Sequence, residues 1–403
     1  MEREIAVLQL VNQLAPGGAE AQFLARLKEH PRGFRPVVAS LRRGGPLAAE
    51  VARLGHAVEH FGLRGGLARL NTAHQILRIA ALIEREDVKL VHANDSFTNM
   101  LAVPTARLAG VPVICSRWDL AHWDGRSHHF LEALACRSAD AVIANSRAVR
   151  ELLIEEEGIP EERIFLVRAG LDLRAFDAEL RGPLLSPAFP QLALGADGRF
   201  VRPTVVVVAN LYPSHGHLEL IDAAELVRKS VPDALFLCVG EGPLRPLLEQ
   251  QLGERGLRNT VLLPGLRRDV PALYARAHAS CVPSRGAETS DAIVFAMAAG
   301  LPVVATTVGG NPELVCEGEG PDATGLLVPP YKPALLAAAL IKLLSCPSAQ
   351  ARLLGAAGRR RVESKLTLPA MSRRLGEIYR QVFSTIKPSL TAPAQVRYTA
   401  SPR

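Results

Sequence analysis

Long apolar runs and aromatic residues are both scarce in this sequence. Phe, Trp and Tyr make up 5% of the 403 residues, although hydrophobic residues as a whole make up 48%. No stretch approaches the roughly 18 uncharged apolar residues that a membrane-spanning helix needs. The N-terminal residues run into an apolar segment at Ile5 without the charged region and apolar core of a secretory signal. We therefore expect a cytoplasmic protein with neither a signal peptide nor a transmembrane helix.

Cysteine is rare and scattered. The six cysteines stand at positions 115, 136, 238, 281, 316 and 346, without a Cys-x-x-Cys pair and without a histidine at ligand spacing. Disulfide frameworks and structural zinc sites depend on such pairs. The sequence therefore predicts buried, reduced thiols.

Positive charge is concentrated near the C-terminus. The net charge of the chain is +7, and residues 350–403 hold 11 Lys and Arg against only Glu363 and Glu377. Such a segment attracts an anionic membrane surface, and it is equally typical of a solvated helix face followed by a tail. Both interpretations stay open, and we expect no nucleic-acid partner.

Short β-branched runs alternate with helix-length amphipathic segments along the chain. The predicted strands are 5–11, 36–41, 57–61, 88–93, 111–116, 140–145 and 164–167 in the first half, and 204–209, 234–239, 261–263, 279–282, 302–305 and 325–328 in the second. This alternation is typical of parallel sheets with helices on both faces. Prolines and glycines between 180 and 203 indicate a linker. We predict an N-terminal domain at 1–180, a linker at 181–203, a C-terminal domain at 204–368 and a disordered tail at 387–403.

Three glycine-containing turns follow predicted strands, where ligands of open parallel sheets bind. They are Gly17-Gly18-Ala19-Glu20, Gly240-Glu241-Gly242-Pro243 and Gly309-Gly310-Asn311-Pro312-Glu313. Glycine lets the backbone approach a ligand, and a helix N-terminus accepts an anion. None has the G-x-G-x-x-G pattern of dinucleotide-binding sites, and each alone also fits a plain strand–helix turn.

Together with residues 208–213, 283–306 and 325–330, these turns resemble family 4 glycosyltransferases of the GT-B fold. The first half agrees at Val91-His92-Ala93-Asn94 and Ala144-Asn145-Ser146. The resemblance implies an α/β architecture of two facing Rossmann-like domains with an interdomain cleft, and a last helix at about 369–386 that returns to the first domain. It also implies a nucleotide-diphosphate sugar as co-substrate on the second domain, an acceptor on the first, transfer with retention, no metal and no tightly bound cofactor.

The sequence departs from the family pattern at four donor-site positions. Asn210 and His215 replace an Arg and a Lys that hold the donor diphosphate. Ala287 and Phe295, eight positions apart, replace two Glu residues that contact the sugar and the ribose. Losing such partners costs about 1–3 kcal/mol each. Arg285, Arg267 and Arg268 are the candidate replacement cations.

The resemblance and these departures together select the candidate site residues. The catalytic candidates are Asp119, His122 and Glu288. The donor-binding candidates are Gly17, Gly18, Asn210, His215, Gly240, Glu241, Ser290, Asp291 and Glu313, and the acceptor-side candidates are His92, Asn94 and Arg117. For each of them a purely structural role stays the alternative.

The leading hypothesis is transfer of a sugar to a polysaccharide, glycolipid or small-molecule acceptor in cell-envelope or secondary-metabolite synthesis. The alternative is a catalytically impaired relative that binds nucleotide or serves as a scaffold partner. A GT-B epimerase is a weaker third hypothesis, because its own motif residues are missing. The expected partners are a nucleotide sugar, a glycan or lipid-linked acceptor, and an anionic membrane surface on the cytoplasmic side.

Overall fold

The computed structural model describes residues 4–15, 18–63, 70–118, 126–185, 189–286, 291–318 and 320–390. Its strands form two sheets, one in each half of the chain. The first sheet consists of β1 (Ile5–Val11), β2 (Phe34–Ser40), β3 (Val58–His60), β4 (Val88–Ala93), β5 (Val113–Arg117), β6 (Ala141–Ala144) and β7 (Ile164–Leu166). The second consists of β8 (Thr204–Val208), β9 (Leu235–Val239), β10 (Val261–Gly265), β11 (Ala279–Val282), β12 (Val303–Thr306) and β13 (Gly325–Val328).

Both sheets are parallel and doubly wound. Their strand orders are β3-β2-β1-β4-β5-β6-β7 and β10-β9-β8-β11-β12-β13, and each pair of neighbours is parallel. Every predicted strand is present, with bounds within two residues of the prediction. The predicted class, α/β with two doubly wound sheets, is confirmed.

Helices connect the strands and cover both faces of each sheet. In the first half they are α1 (Gly18–Lys28), α2 (Ala48–Arg53), α3 (Leu70–Arg85), α4 (Ser96–Ala109), α5 (Arg126–Ser138) and α6 (Arg147–Glu155). The remaining helices are α7 (Leu173–Leu180), α8 (His217–Ser230), α9 (Arg245–Glu254), α10 (Val270–Arg276), α11 (Asp291–Ala298), α12 (Asn311–Leu314), α13 (Pro333–Ser345), α14 (Ser348–Lys365) and α15 (Leu368–Leu390).

The valine run of β8 is buried from both sides. Val205, Val206 and Val207 are fully inaccessible to solvent, and successive side chains join different cores because strand side chains alternate between faces. Val206 packs in one cluster, whereas Val205 and Val207 pack in another. A continuous apolar run therefore marks a strand covered on both faces.

The last helix, α15, returns to the first domain. Its residues Leu375 and Ile378 are buried against Val7, Leu90 and Ile114 of the first sheet. The predicted crossover helix is therefore present. It runs to Leu390, beyond its predicted end at 386, and the rest of the predicted tail, 391–403, lies outside the described residues.

The chain crosses between the domains near Leu171. The Leu171 amide donates to the carbonyl of Leu366 at 2.8 Å, so the outgoing and returning segments pair with each other. Beyond this point Phe176 of α7 and Phe200 of the predicted linker are buried in the second core. α7 thus packs with the second domain, whereas the predicted boundary at 180 placed it with the first. The proline-rich stretch follows the crossing and does not mark it.

The helices and cysteines of the described residues bear on membrane insertion and on disulfide bonding. Among them, no single helix has the length and apolar composition of a membrane span. α13 and α14 reach that composition only as a pair, and they meet at a bend of 109°. All six cysteines lie in the described ranges as free thiols, four of them buried and two half-buried.

Candidate active site

The chain order reverses between β1 and β4 in the first sheet and between β8 and β11 in the second. Ligands of open parallel sheets bind beyond the carboxyl ends of strands at such reversals. The residues that directly follow these four strands are Asn12, Asn94, Ala209 and Pro283. A ligand-binding site is therefore expected at these two sheet edges.

The two edges are linked by side chains across the cleft. Gln22 of α1 donates from Nε2 to Asp291 Oδ2, at the start of α11, over 3.4 Å. On the other side Glu313 of α12 accepts from Arg168 Nη2 at 2.6 Å and from the backbone N–H of Arg147. Burial raises the pKa of Asp291. Asp291 and Glu313, both predicted donor-binding residues, therefore lie at the interface between the domains.

His92, a predicted acceptor-side residue, is buried beneath α15. Gln9 Nε2 donates to the Tyr379 hydroxyl at 3.0 Å, and that hydroxyl lies 2.7 Å from His92 Nδ1. His92 Nε2 lies 2.9 Å from Ser116 Oγ, so both ring nitrogens have a hydrogen-bond partner inside the first domain. Burial lowers the pKa of His92 well below its usual value, in agreement with a neutral ring.

Asn94 lies in the same layer of polar side chains as Gln9, His92 and Tyr379, close to the carboxyl end of β4. Its Oδ1 accepts from Arg26 Nη2 at 2.5 Å, and its backbone carbonyl accepts from Trp118 Nε1 at 2.7 Å. The Arg26 guanidinium lies 4.7 Å from the centre of the Trp118 ring system. Asn94 is 1% exposed, so its side chain serves contacts inside the first domain.

Arg117 is buried within the first domain. Its guanidinium bonds Glu157 at 2.7 Å and lies 3.3 Å from Glu132, and the three side chains are at most 4% exposed. Burial acts to lower the pKa of Arg117, but the two carboxylates raise it on balance. The arrangement is an internal ion-pair cluster.

The three predicted acceptor-side residues His92, Asn94 and Arg117 are thus all buried in the first domain, and each has polar contacts there. They are buried because α15 and the other helices of this domain cover them. Spacing along the chain does not show which helix covers which residue. The contacts of Arg26, Trp118 and Tyr379 were missed for the same reason. The Gln9–Tyr379 bond, for example, joins residues 370 positions apart.

On the donor side, the loop after β8 packs directly on the loop after β11. A Cβ atom at Gly216 would lie 1.8 Å from the Pro283 carbonyl oxygen, and its φ is +70°. Asn210 is exposed and His215 is half-buried in this loop, just before α8 begins at His217. Burial, and then the nearby His215, lower the pKa of His217 to about 4. His217 therefore adds no positive charge there.

The Gly240–Gly242 turn is shaped by backbone packing. The Gly240 amide donates to the Gly265 carbonyl at 3.0 Å, and its Cβ would lie 2.1 Å from the Ala209 carbonyl oxygen. Glu241 bonds Arg245 through both carboxylate oxygens, at 2.6 and 2.8 Å, and this contact lowers its pKa. The Gly240 N–H is therefore not free for the predicted phosphate cradle.

The candidate replacement cations have different surroundings. Arg285 follows β11, donates from Nε to Glu219 at 2.6 Å and lies 5.4 Å from the Tyr331 ring centre. Arg267 bonds Asp269 at 2.6 Å, and Arg268 is exposed. Arg285 is the one of the three that lies at the reversal edge, beside the His215 loop.

Phe295 stands at one of the four positions where the sequence departs from the family pattern, and it packs inside the second domain. Its ring stacks on Phe176 with centroids 5.8 Å apart and planes at 26°. Several predicted residues cannot be placed, because they lie outside the described residues: Gly17, Asp119, His122, Ala287, Glu288 and Ser290. Their roles stay predictions. Within the described ranges, no group of three His, Cys, Asp or Glu could hold a metal ion, and metal independence also stays a prediction.

Comparisons with known proteins cover both halves of the chain. Residues 202–346 match the family described as Glycosyl transferases group 1, and residues 16–175 match Glycosyltransferase Family 4. The chain is 30% identical over 297 residues to a GDP-mannose-dependent α-(1-6)-phosphatidylinositol monomannoside mannosyltransferase of Mycolicibacterium smegmatis, covering 70% of this chain and 74% of that protein.

One further relative and one solved structure extend the comparison. The chain is 27% identical over 341 residues to α-D-kanosaminyltransferase of Streptomyces kanamyceticus, covering 80% of this chain and 85% of that one. Among solved structures, Anabaena Alr3699/HepE in complex with UDP is similar with a TM-score of 0.80 at 22% identity. That match covers 94% of this chain and 100% of that chain and shows likeness of fold.

Proposed function

The chain belongs to the family 4 glycosyltransferases of the GT-B fold, and on that premise we propose that it transfers a sugar from a nucleoside diphosphate sugar to a hydroxyl group of a glycan, lipid-linked or small-molecule acceptor, with retention. The observation that carries this proposal is the pair of facing carboxyl edges, linked by Gln22 with Asp291 and by Arg168 with Glu313. The relatives support it, since one is GDP-mannose-dependent and one was solved with UDP.

We place the donor diphosphate beside the loop after β8. α8 starts there and runs for 14 residues, and the N-terminus of a helix favours a negative charge. His215 stands in that loop, and Arg285 follows β11 on the neighbouring strand. Positive charge and N–H groups at this edge would stabilise the negative charge that develops on the leaving diphosphate.

The acceptor would lie on the first domain, beyond the carboxyl ends of β4 and β5. Asp119 and His122 follow β5 closely in the sequence and stay the candidates for orienting the acceptor hydroxyl or taking its proton. Closure of the cleft would exclude water and favour transfer over hydrolysis of the donor.

We also propose that the protein works at the cytoplasmic face of a membrane, where lipid-linked acceptors are found. Arg373, Arg374 and Arg380 are exposed on α15, within the basic segment described above. Attraction to anionic lipid is screened within about 8–10 Å at physiological salt. Binding should therefore favour anionic over neutral vesicles and weaken as salt rises, and equal binding to both vesicle types would rule it out.

The donor is identified by a thermal-shift panel of UDP, GDP, ADP and TDP with their sugar conjugates. A nucleotide at 100 times its Kd stabilises the protein by about 2.7 kcal/mol, which is measurable in a chain of this size. The sugar conjugate of the nucleotide that shifts Tm is then used in a transfer assay, with the anomer of the product read by NMR. A product of inverted configuration would contradict retention. No shift with any nucleotide at millimolar concentration would favour the scaffold alternative.

A further inference from the structure

Trp118 is fixed at the carboxyl end of β5 by three contacts. Its indole Nε1 donates to the Asn94 carbonyl at 2.7 Å, and its own carbonyl accepts from Asn145 Nδ2 at 2.9 Å. The Arg26 guanidinium covers one face of the ring system at 4.7 Å. The indole is half-buried, so both its position and its plane are set while part of it meets solvent.

Arg26, the cation that packs on this ring, has an unusual environment for a buried arginine. Arg26 is 2% exposed, its Nε has no hydrogen-bond partner, and no ion pair with a described carboxylate is present. Burial lowers its pKa to about 10, yet it stays charged at neutral pH. A buried charge without a carboxylate partner is destabilising, and among the described residues the indole face and Asn94 Oδ1 offset this cost. These contacts therefore keep the Arg26 guanidinium stacked on the Trp118 ring system.

Trp118 contacts residues on the two elements that join the domains. Gln22 and Arg26 are four residues apart on α1 and so share one helix face. Gln22 reaches Asp291 of the second domain, while Arg26 reaches Trp118. The backbone carbonyl of Trp118 bonds Asn145, which immediately precedes Ser146, the N-cap of α6, whose first backbone N–H bonds Glu313. Trp118 is therefore linked to α1 and to the start of α6, the two elements of the first domain that carry these contacts.

We propose that the Trp118 indole is the surface on which the sugar ring of the acceptor stacks. This inference rests on the proposed function. One face of the indole is occupied by Arg26, so a pyranose would lay its C–H face on the opposite side, where aromatic burial contributes. The residues that position the indole are then Asn94, Asn145 and Arg26. The ligand is a neutral sugar ring whose hydroxyl groups stay in solvent.

The test uses the fact that the chain has only two tryptophans. In the full chain carrying Trp123→Phe, Trp118 is the remaining indole and reports its own surroundings by fluorescence. The probes are methyl α-glucoside, methyl α-galactoside and methyl α-mannoside at millimolar concentrations. We expect a saturable change in emission with at least one of them. The same titration is repeated with Arg26→Met added, which keeps the length of the side chain and removes the charge.

With Arg26→Met the indole loses the group that fixes its plane, and because binding to a less preorganised surface is weaker, the apparent Kd for the glycoside should rise by about tenfold. UDP binding, read as a Tm shift in the same samples, should not change. If Arg26→Met does not fold, Arg26→Lys replaces it, and the rise should be smaller. The matched control is Phe130→Leu, which removes an exposed ring of the same domain and should leave every titration unchanged.

The outcomes separate this inference from the proposed function. If UDP shifts Tm and no glycoside changes Trp118 emission, the stacking surface is wrong and the glycosyltransferase proposal stands. If glycosides bind but no nucleotide does, the acceptor inference stands and the donor proposal fails. An Arg26→Met effect on UDP affinity equal to that on glycoside affinity would show a merely structural role and overturn the inference.

Discussion

Glu313 of the second domain and Arg168 of the first share a hydrogen bond with 2.6 Å between Oε2 and Nη2. The second carboxylate oxygen of Glu313 accepts from the first backbone N–H of α6, where the helix dipole favours a negative charge. The Glu313 side chain is 11% exposed and Arg168 is 29% exposed. The helix that carries Glu313, α12, is thus bound to the first domain when the cleft is in the conformation described.

We predict that Glu313→Gln and Arg168→Met both shift the domains toward an open arrangement. A charge-assisted bond of this exposure contributes about 1–2 kcal/mol, or a factor of about 5–30 in the closed-to-open ratio. Small-angle scattering should show a larger radius of gyration for both variants, while Arg85→Met, which removes an exposed pair with Glu59, should not differ from the parent. If Glu313 instead contacts the nucleotide directly, only Glu313→Gln would lower UDP affinity.

Gly216→Ala should disrupt the donor side more than another left-handed glycine would. The new Cβ would meet the Pro283 carbonyl at 1.8 Å, whereas Gly256, with a similar φ of +60°, has nothing within 4 Å. Gly256→Ala should cost about 1–2 kcal/mol of stability through the backbone conformation alone. Gly216→Ala should cost more and weaken UDP binding at least about tenfold. Equal Tm values and UDP affinities for the two variants would argue against this packing.

Arg117→Met should strongly destabilise the first domain. It would remove the buried cation that Glu132 and Glu157 share, a loss of about 3–5 kcal/mol. The comparison variant is Arg107→Met, because the Arg107–Asp140 pair is exposed and should contribute less than about 1 kcal/mol. Urea unfolding followed by circular dichroism measures both. A midpoint for Arg117→Met no lower than that for Arg107→Met would contradict the buried cluster.

Asp95 should give a pH-dependent contribution to stability. Burial raises its pKa from the usual 3.8 to about 6, although its carboxylate accepts from the amides of Asn12 and Thr98. The native state then holds this proton more tightly than the unfolded chain, so the contribution of Asp95 is most favourable below pH 4 and decreases as pH rises to 6.

Asp95→Asn removes this titration. The free energy of unfolding of the variant, relative to that of the parent, should increase between pH 4 and 6 by on the order of 1–3 kcal/mol and stay constant above pH 7. Asn also loses one acceptor, which adds a pH-independent cost and does not affect the slope. Urea titrations at several pH values measure the difference, and a difference that does not vary with pH would disprove the raised pKa.

The strands were predictable because burial on both faces demands continuous apolar runs such as that of β8. The return of α15 was predictable from family resemblance, since nothing in its own periodicity shows which sheet it covers. The polar layer of Gln9, His92 and Tyr379 was not predictable. The position of His92 after an apolar run predicts a histidine in the cleft. His92 is instead internal, because α15 covers it with Tyr379, a residue 287 positions later in the chain.

The donor side shows the same limit in a different form. Gly240 was predicted from its sequence to hold phosphate, because glycine permits close approach of a backbone to a ligand. In the structure the backbone that approaches is that of Ala209 in the same domain. Sequence spacing indicates that space is needed at such a turn, but not which atoms fill it.

The return of α15 also bears on how the protein is made. The face of the first sheet that carries Val7, Leu90 and Ile114 is covered by residues that follow the whole second domain in the chain. During synthesis from the N-terminus, that face stays uncovered until the ribosome has passed residue 378. The first domain therefore completes its folding last, although its strands emerge first, and a nascent chain stalled in the second domain would expose an apolar surface for chaperones to bind.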